Sequence, residues 1–292
     1  MAIKHWILAS RPKTLPAAIC PVAIGTVMAC TSASISWWVV VLIGVTALLI
    51  QIGANLANDY FDFVKGIDAF RTNGPERMTQ SQKISPLAMR NAFILTLIAA
   101  FLLGLVLVKI AGWPLLVLGI LSIIFAIQYT AGPYPLGYIG LGEVFVLLFF
   151  GPVAVGGTYY VLTGALTPTV LLAGIAPGLI STGILIVNNL RDIDDDAKSK
   201  KKTLAVRFGR QFTIVEYAVV MIAACFVPVL ISLFSSLKYT MLLPLLLLPL
   251  VIYLIVKVAK DSGPKLNESL FLTAQSLILY SLLFVMGWVL SY

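Results

Sequence analysis

Long uncharged stretches, separated by short polar segments, make up most of this chain. Residues 14–58 contain no Asp, Glu, Lys or Arg. That run is too long for one membrane helix, because ~20 apolar helical residues span the ~30 Å core of a bilayer. A polar segment at 31–36 divides this run. Two later apolar runs, 110–142 and 144–190, contain turn-rich segments at 131–137 and 162–168. The pattern therefore predicts nine membrane-spanning helices: two within 14–58, one at 91–108, one within 110–142, two within 144–190, and three at 213–234, 239–257 and 269–289.

The basic residues are distributed unevenly between the predicted loops. With nine spans and a cytoplasmic N-terminus, the inside segments contain every Lys and Arg except Lys109 and Lys238. Because cytoplasmic loops of membrane proteins are enriched in Lys and Arg, this distribution predicts an N-terminus in the cytoplasm and a C-terminus outside, in a cell membrane. The inside segments are 1–13, 58–90, 130–142, 191–211 and 257–268.

Composition supports the same class of protein. Of the 292 residues, 60% are hydrophobic and 11% are charged, and the mean hydropathy is +1.01, whereas a soluble domain is about 25% charged. With loops this short, residues 1–292 are expected to form a single all-α integral membrane domain in contact with the lipid bilayer. Membrane topology and lipid contact explain the net charge of +8 without nucleic acid binding. The single histidine, His5, argues against catalysis or metal binding based on histidine.

Acidic residues are rare, and most of them lie in two short segments with related sequences. NDYFDFVKGID occupies 58–68 at the end of the second predicted span, and NNLRDIDDD occupies 188–196 at the end of the sixth. Both contain Asn-x-x-x-Asp, and an even number of spans separates them, so both leave the membrane on the same side. This internal pseudo-repeat predicts that two helix bundles present polar ends to one shared cavity.

Carboxylates within each acidic segment are close enough to share a cation. Asp192 and Asp196 are four residues apart, so a helix places both on one face with ~5–6 Å between their Cβ atoms. Such stacked charges at a membrane boundary are unfavourable without a counter-ion. Oxygen ligands without His or Cys favour Mg²⁺, which completes its shell with substrate phosphate. Neighbouring bases suited to phosphate oxygens are Lys65, Arg71, Arg77, Arg191 and the run Lys200, Lys201 and Lys202.

The residues alone leave alternatives open. The acidic segments are also compatible with ordinary loops that flank membrane helices. Asp194 and Asp195 point away from the face of Asp192 and Asp196. The sequence is equally consistent with simple solvation of these two residues and with a functional role. Glu143, beside an apolar segment, suits either helix capping, lipid headgroup contact or a function. A secondary transporter also combines repeated bundles with rare acids, but it predicts acids near the bilayer centre rather than at span ends.

The two acidic segments and four further stretches carry a resemblance to a known family. They are RPKTLP (11–16), NDYFDFVKGID (58–68), GPER (74–77), GYIGLGEVFV (137–146), FFGPVAVGGTYY (149–160) and NNLRDIDDDAKSKKKTLAVRFGR (188–210). The acidic segments resemble the two Asp-rich motifs of the UbiA superfamily of intramembrane aromatic prenyltransferases. Within it, the RPKTLP start, the form of the first motif and GPVAVGGTYY are similar to the branch that prenylates 1,4-dihydroxy-2-naphthoate in menaquinone synthesis.

The resemblance implies nine transmembrane helices around a central cavity and a Mg²⁺-dependent enzyme. It implies transfer of a polyprenyl group from polyprenyl diphosphate to 1,4-dihydroxy-2-naphthoate, with loss of carbon dioxide. Other acceptors of the superfamily, namely 4-hydroxybenzoate, homogentisate, haem or a chlorin, remain alternatives. The expected roles are catalysis for Asp62, Asp192 and Lys65, substrate binding for Asn58, Asn188, Arg77, Arg191 and Lys201, and metal binding for Asp59, Asp62, Asp68, Asp192 and Asp196.

Two positions depart from the superfamily pattern. The pattern NDxxDxxxD places its last acid at position 66, where this chain has Gly66, and the acid follows at Asp68, as in the naphthoate branch. After Asp196 the family usually has Gly-Lys-x-Thr, whereas this chain has Lys200 at the glycine position. Glycine is typical of tight turns, so the sequence leaves the turn at Lys200 in question.

Overall fold

Most of the described residues are helical. A computed structural model describes residues 3–70, 72–234 and 239–292, so Arg71 and Lys238 lie outside the described residues. Within these ranges there is no β-strand, which confirms the predicted all-α class. The α-helices are α1 (Ile3–Ala9), α2 (Pro16–Cys30), α3 (Trp37–Val64), α4 (Pro86–Ala111), α5 (Trp113–Gln128), α6 (Gly142–Leu148), α7 (Ala154–Thr163), α8 (Pro168–Arg191), α9 (Ile193–Lys198), α10 (Leu204–Phe234), α11 (Leu248–Lys260) and α12 (Leu266–Ser291).

Helix length decides which segments are able to cross a bilayer. Among the described residues, seven helical segments have the required length and apolar composition. The segment Ile3–Thr14 and helix α2, bent by 52° between them, add an eighth if they form one broken span. Helix α5 is apolar but has only 16 residues, which is about 24 Å. The chain is therefore a multi-spanning helical protein with seven to eight candidate spans, fewer than the nine predicted, because α5 falls below the usual length.

Local sequence signals set the helix ends. Ser85 and Thr167 cap α4 and α8 by accepting hydrogen bonds from the backbone amides of Ala88 and Val170, and a proline follows each cap. Side-chain caps followed by proline satisfy amides that have no partner within the helix. Between α4 and α5, Gly112 has a φ of 85°, a conformation that glycine adopts without steric cost. These signals make α4 and α5 an antiparallel pair joined by one residue.

Helix α8 is the central element of the bundle, and small residues let its neighbours approach closely. A Cβ added to Gly178 would lie 2.4 Å from the Leu147 carbonyl oxygen, and one added to Gly174 would lie 2.7 Å from the Pro152 Cα. The irregular turn Phe149–Val153 between α6 and α7 packs at this contact. Small residues at such crossings permit the close backbone packing that stabilises helix pairs in membranes.

The two acidic segments lie at the C-terminal ends of α3 and α8. The negative end of a helix dipole disfavours carboxylates at a helix C-terminus, so acids there need nearby cations. Three loops cover this end of the bundle, and their described residues are 65–70 with 72–85, 129–141, and 199–203. The Lys202 amide donates to the Tyr138 carbonyl at 2.7 Å and joins two of these loops. The loops thus bring basic side chains onto helix ends that carry acids.

Candidate active site

A cavity of about 760 Å³ begins between the ends of α3 and α8 and extends into the bundle. Side chains from both acidic segments line it, although the segments are far apart in the sequence. This arrangement confirms the prediction that the two segments face one shared cavity. The predicted site residues that line it are Asn58, Asp59, Asp62, Arg77, Asn188, Arg191, Asp192, Asp196 and Lys201.

Asp62 is the most deeply buried acid of the first segment, with 1% of its surface exposed. Arg77 Nη2 donates to Asp62 Oδ2 at 2.9 Å, and the Tyr138 hydroxyl donates to Asp62 Oδ1. Arg77 Nε also lies 3.4 Å from Asp68 Oδ1, so one guanidinium group bridges two carboxylates. Because Asp62 lies in the last turn of α3, this cation offsets a buried charge that the helix dipole disfavours.

Asp59 and Asp68 contact groups that hold the loop around Arg77 in place. The backbone amides of Met78 and Thr79 donate to the two Asp59 oxygens at 3.1 and 3.0 Å, which fixes the turn that follows Arg77. Asp68 is buried behind Arg77 and is not among the residues that line the cavity. Metal binding by Asp59 and Asp68 stays a prediction, and the geometry gives both a role in holding Arg77.

In the second segment, Arg191 organises the acidic end of α8. Arg191 Nε and Nη2 donate to the two Asp192 oxygens, each at 2.7 Å, in a bidentate pair. The same guanidinium donates to Asn188 Oδ1 at 2.8 Å and to Asn267 Oδ1 at 2.9 Å. A planar guanidinium is suited to this geometry because its donors form a rigid fork. Arg191 therefore positions both Asn188 and Asp192 at the cavity wall.

Asp196 lies one helical turn beyond Asp192. The Asp196 amide donates to the Asp192 carbonyl at 2.8 Å, which preserves the predicted one-face arrangement across the break between α8 and α9. Lys201 Nζ lies 3.3 Å from Asp196 Oδ1. Lys200, at the position where the family usually has glycine, has a φ of 60°. The tight turn is therefore retained, with a lysine in the left-handed conformation.

Tyr138 occupies the space between the two acidic segments. Lys65 Nζ and Lys201 Nζ lie 4.9 and 4.8 Å from the centre of its ring, within the range of cation–π contacts. Burial and the adjacent Asp62 carboxylate raise the pKa of Tyr138, so its hydroxyl keeps the proton that it donates. Tyr138 connects Asp62 of the first segment with Lys201 of the second.

Lys65, which the sequence predicted to be catalytic, contacts loop carbonyls beside the cavity, and its catalytic role stays a prediction. Its ammonium group donates to the carbonyls of Thr130 and Gly132 at 2.7 and 3.0 Å. Partial burial of this ammonium group lowers its pKa, an effect that the Asp62 carboxylate opposes and Lys201 reinforces. Lys65 is absent from the cavity lining, so its geometry indicates that it holds the 130–132 loop and Tyr138.

Three residues of the site were not predicted as site residues from the sequence. Tyr138 contacts Asp62, and Arg11 Nη2 donates to Asn58 Oδ1 at 2.6 Å. Asn189 Nδ2 donates to Glu143 Oε1 at 2.8 Å, and Asn189 lines the cavity. Arg11 and Tyr138 lie within RPKTLP and GYIGLGEVFV, two stretches that carry the family resemblance. That resemblance was the sequence signal that could have identified them. The three residues are Arg11, Tyr138 and Asn189.

Asp194 and Asp195, for which solvation remained an alternative, differ in the structure. Asp194 is exposed, in agreement with solvation. Asp195 is buried and accepts hydrogen bonds from the amide and hydroxyl groups of Thr72 at 2.8 and 3.0 Å. Asp195 therefore joins α9 to the loop that follows the first acidic segment.

The acidic groups suit a cation that is shared with a ligand rather than held by protein alone. The described residues contain no group of three or more His, Cys, Asp or Glu side chains close enough to enclose a metal ion. Mg²⁺ is typically held by one or two carboxylates together with substrate phosphates and water. Asp62 on one wall, and Asp192 with Asp196 on the other, provide oxygen donors of this kind. The donor set therefore fits Mg²⁺ bound together with a phosphorylated substrate.

Beyond the acidic segments the cavity is apolar. On α3 its lining runs from Asp62 to Ile43, and this many helical residues span about 28 Å, close to the thickness of a bilayer core. The opposite walls come from α4, α5 and α7. The deepest lining residues are Leu107, Val108, Leu115, Leu116 and Val161. A ligand that fills the cavity would be charged at one end and apolar along the rest.

Comparisons with known proteins agree on one family. Residues 18–282 match the model of the UbiA prenyltransferase family. The 1,4-dihydroxy-2-naphthoate octaprenyltransferase of Escherichia coli (strain K12) is 39% identical over 300 residues, covering 98% of this chain and 95% of that protein. UbiA prenyltransferase domain-containing protein 1 of Xenopus tropicalis is 32% identical over 292 residues, covering 98% of this chain and 82% of that protein.

A solved structure has the same fold. A UbiA homologue from Archaeoglobus fulgidus, bound to GPP and Mg²⁺, aligns with a TM-score of 0.69. The alignment covers 98% of this chain and 99% of that one, at 16% sequence identity. Similarity over the full length of both chains indicates that the helices of the two proteins have the same arrangement.

Proposed function

The chain belongs to the UbiA prenyltransferase family, and we propose that it prenylates 1,4-dihydroxy-2-naphthoate in menaquinone synthesis. The polyprenyl group comes from polyprenyl diphosphate, and the naphthoate carboxylate leaves as carbon dioxide. The observation that carries this proposal is a single cavity whose mouth holds Asp62 and Asp192 and whose depth is apolar. The name of the Escherichia coli relative, which covers nearly the whole chain, supports the choice of acceptor.

In the proposed reaction, the basic groups at the cavity mouth bind the diphosphate. Arg77, Arg191 and Lys201 line the cavity, and Arg11 lies beside Asn58. The allylic C–O bond breaks, and its electron pair goes to the diphosphate oxygen. Preorganised cations stabilise such developing charge because they need no rearrangement during the reaction. Asn58 and Asn188, each held by an arginine, are placed to donate amide hydrogen bonds to the diphosphate.

We assign the Mg²⁺ ligands to Asp62, Asp192 and Asp196. Bound Mg²⁺ would neutralise charge on the diphosphate and make it a better leaving group. These carboxylates are already paired with Arg77, Arg191 and Lys201. Asp59 and Asp68, also predicted as metal ligands, would act by holding Arg77 and its loop in place.

The apolar walls protect the reactive carbon. An allylic cation is hydrolysed by water, and a closed apolar cavity excludes water from it. Phe145, Phe149 and Tyr129 line this region and present aromatic faces, which attract cations. The electron-rich naphthoate ring forms the new C–C bond. The bond to its carboxylate then breaks, carbon dioxide leaves, and the bonding electrons return to the ring.

We further propose one membrane domain of nine spans with a cytoplasmic site. The seven clear spans, the bent N-terminal pair and the apolar helix α5 together give nine. Arg11, Arg77 and Lys201 lie at the cavity mouth, whereas Lys109 lies at the opposite end of the bundle, in agreement with cytoplasmic enrichment of basic residues. An accessibility map of single cysteines in intact cells tests this topology.

Turnover of defined substrates tests the proposed function. The purified protein in lipid nanodiscs receives labelled octaprenyl diphosphate with Mg²⁺ and one of three acceptors: 1,4-dihydroxy-2-naphthoate, 4-hydroxybenzoate or homogentisate. We expect a prenylated product and released carbon dioxide with the naphthoate. Asp194→Ala, an exposed acid in the same segment, serves as the matched control for Asp192→Ala. Turnover of 4-hydroxybenzoate or homogentisate without turnover of the naphthoate would refute the proposed acceptor.

A further inference from the structure

Two glycines in the cavity wall differ from the other helical glycines of the protein. Gly104 on α4 and Gly119 on α5 both line the cavity. A Cβ built on either would have no heavy atom of the described residues within 4 Å, outside its own helix and chain neighbours. At Gly174 and Gly178, by contrast, a Cβ would collide with backbone atoms at less than 3 Å. Close helix packing therefore explains Gly174 and Gly178 but not Gly104 and Gly119.

Backbone conformation does not explain these two glycines either. Both lie inside regular α-helices, and neither has a positive φ. Glycine in a helix interior is less favourable than alanine, because it loses more freedom on folding. What distinguishes Gly104 and Gly119 from the closely packed helical glycines is the open cavity beside them.

Helical periodicity directs both positions into the cavity. On α5, the cavity lining recurs at Leu115, Gly119, Ser122 and Ala126, and Gly119 lies in the middle of this stripe. On α4, Gly104 lies between Ala100 and Val108 in the same way. Residues at these three- and four-residue intervals share one helix face. A side chain at either glycine would therefore project into the cavity.

The two glycines also lie at a similar depth. Gly104 precedes the Gly112 turn by eight residues, and Gly119 follows it by seven, so both are about 11 Å from that turn. Gly119 is ten residues from Tyr129 at the cavity mouth, about 15 Å along the helix. The cavity continues past them to Val108 and Leu115. The missing side chains thus leave a passage between the mouth and the deepest part of the cavity.

We infer that Gly104 and Gly119 set the length of prenyl tail that the enzyme accepts, a conclusion that rests on the proposed prenyl transfer. Each isoprene unit adds four chain bonds, and three bonds of an extended polypeptide span about 3.5 Å, so a two-unit tail reaches only about 9 Å. Such a tail ends before the glycines. An octaprenyl tail must pass between them to reach the deep end of the cavity.

Bulky substitutions at the glycines test this inference. Gly119→Phe and Gly104→Phe are assayed with geranyl diphosphate and with octaprenyl diphosphate, each with the same acceptor. We expect kcat/KM for octaprenyl diphosphate, relative to geranyl diphosphate, to fall by about tenfold or more, because small steric changes in apolar pockets give discrimination of this size. Activity with geranyl diphosphate should persist, because the residues at the cavity mouth are unchanged.

Lipid-facing positions on the same helices provide matched controls. Leu102 and Val117 are exposed and do not line the cavity. Leu102→Phe and Val117→Phe should therefore keep the wild-type ratio of the two donors. If a Phe variant does not elute as a folded protein, the Leu variant at the same glycine is measured, and its donor ratio is the test.

The outcomes separate this inference from the proposed function. An unchanged donor ratio in folded glycine variants, with an active wild-type enzyme, would overturn the role of the glycines and leave prenyl transfer intact. Equal shifts in the glycine variants and in the lipid-facing controls would also overturn it. A wild-type protein inactive with every prenyl diphosphate would instead refute the proposed function itself.

Discussion

Asp195 accepts hydrogen bonds from both the amide and the hydroxyl of Thr72, at 2.8 and 3.0 Å. These residues are far apart in the sequence, and each belongs to the surroundings of a different acidic segment. The contact fixes α9 against the loop between Asp68 and Arg77. Because Arg77 holds Asp62, the Asp195–Thr72 contact helps to set the relative position of the two walls of the cavity mouth.

Removal of the Asp195 carboxylate should loosen this contact. We expect Asp195→Ala to destabilise the fold by about 1–3 kcal/mol, the usual loss for hydrogen bonds to a charged group. We also expect a raised KM for prenyl diphosphate. Thermal unfolding in detergent and steady-state kinetics measure the two effects. Asp194→Ala, which removes an exposed acid from the same turn, should change neither.

A double-mutant cycle with Thr72→Val isolates the pair. If the hydroxyl of Thr72 and the Asp195 carboxylate act through each other, the double variant should be less destabilised than the sum of the two single variants. Strict additivity would show that Asp195 acts through groups other than this hydroxyl, among them the Thr72 amide, which Thr72→Val retains.

The sequence predicted the parts of the site that depend on local patterns. Apolar runs and loop charges indicated the helices, and the repeated Asn-x-x-x-Asp indicated that Asp62 and Asp192 face one cavity, which the structure confirms. The even number of spans between the two segments was sufficient for the shared cavity. Periodicity within one helix predicted the shared face of Asp192 and Asp196.

The contacts that the sequence did not predict are made between loops and helices that meet only in the folded bundle. Tyr138 reaches Asp62, and Asp195 reaches Thr72, across separations that no helical period relates. Lys65 was predicted to be catalytic from its place in the first segment, but its direction depends on where the 130–132 carbonyls lie. Packing between distant segments decides such contacts.

Glu143 should act through Asn189, whose amide it holds at the cavity wall. Glu143→Gln retains an acceptor oxygen for Asn189 Nδ2, whereas Glu143→Leu removes it. The Leu variant leaves a buried amide without a partner, at a cost of about 1–3 kcal/mol. We expect a lower melting temperature and a raised KM for the acceptor in Glu143→Leu, and values near wild type in Glu143→Gln. Equal losses in both variants would mean that the charge, not the hydrogen bond, is required.

Arg77 should be essential for stability because it neutralises two buried acids. Arg77→Ala leaves Asp62 and Asp68 without this cation, and breaking a buried pair in this way costs about 3–5 kcal/mol. Arg77→Lys keeps the charge but not the fork that contacts both carboxylates. We therefore expect melting temperatures in the order wild type, Lys variant, Ala variant. Arg90→Ala, which removes an exposed arginine, should be neutral, and an unaltered melting temperature in Arg77→Ala would contradict this role.

Lys200 should gain stability when replaced by glycine. Its φ of 60° is costly for a residue with a side chain, by roughly 1–2 kcal/mol, and glycine adopts it freely. Glycine also gives the unfolded chain more conformational entropy, which opposes part of this gain. The net effect of Lys200→Gly should be a stabilisation of the fold by about 0.5–1 kcal/mol. Turnover should be unchanged, because Lys201 and Asp196 remain paired. Lys198→Gly, in the last turn of α9, is the control and should destabilise, and a less stable Lys200→Gly would show that the lysine side chain has a stabilising contact.

Asp62 and Asp192 should be required for Mg²⁺-dependent turnover in equal measure, since they lie on opposite walls of the same cavity mouth. Removal of Mg²⁺ by chelation should abolish turnover by the wild-type enzyme, and added Mg²⁺ should restore it. Asp62→Asn and Asp192→Asn preserve size, but each replaces one acceptor oxygen with an amide NH₂ donor and loses the charge that binds the ion. We expect each to reduce kcat/KM by about 100-fold or more, the scale on which preorganised electrostatic groups act, and to raise the Mg²⁺ concentration for half-maximal activity. Asp194→Asn should leave both quantities unchanged.

If Asp192→Asn lost activity without a change in Mg²⁺ dependence, the carboxylate would serve Arg191 and Asn188 rather than the ion. The metal would then be bound by the Asp62 wall alone.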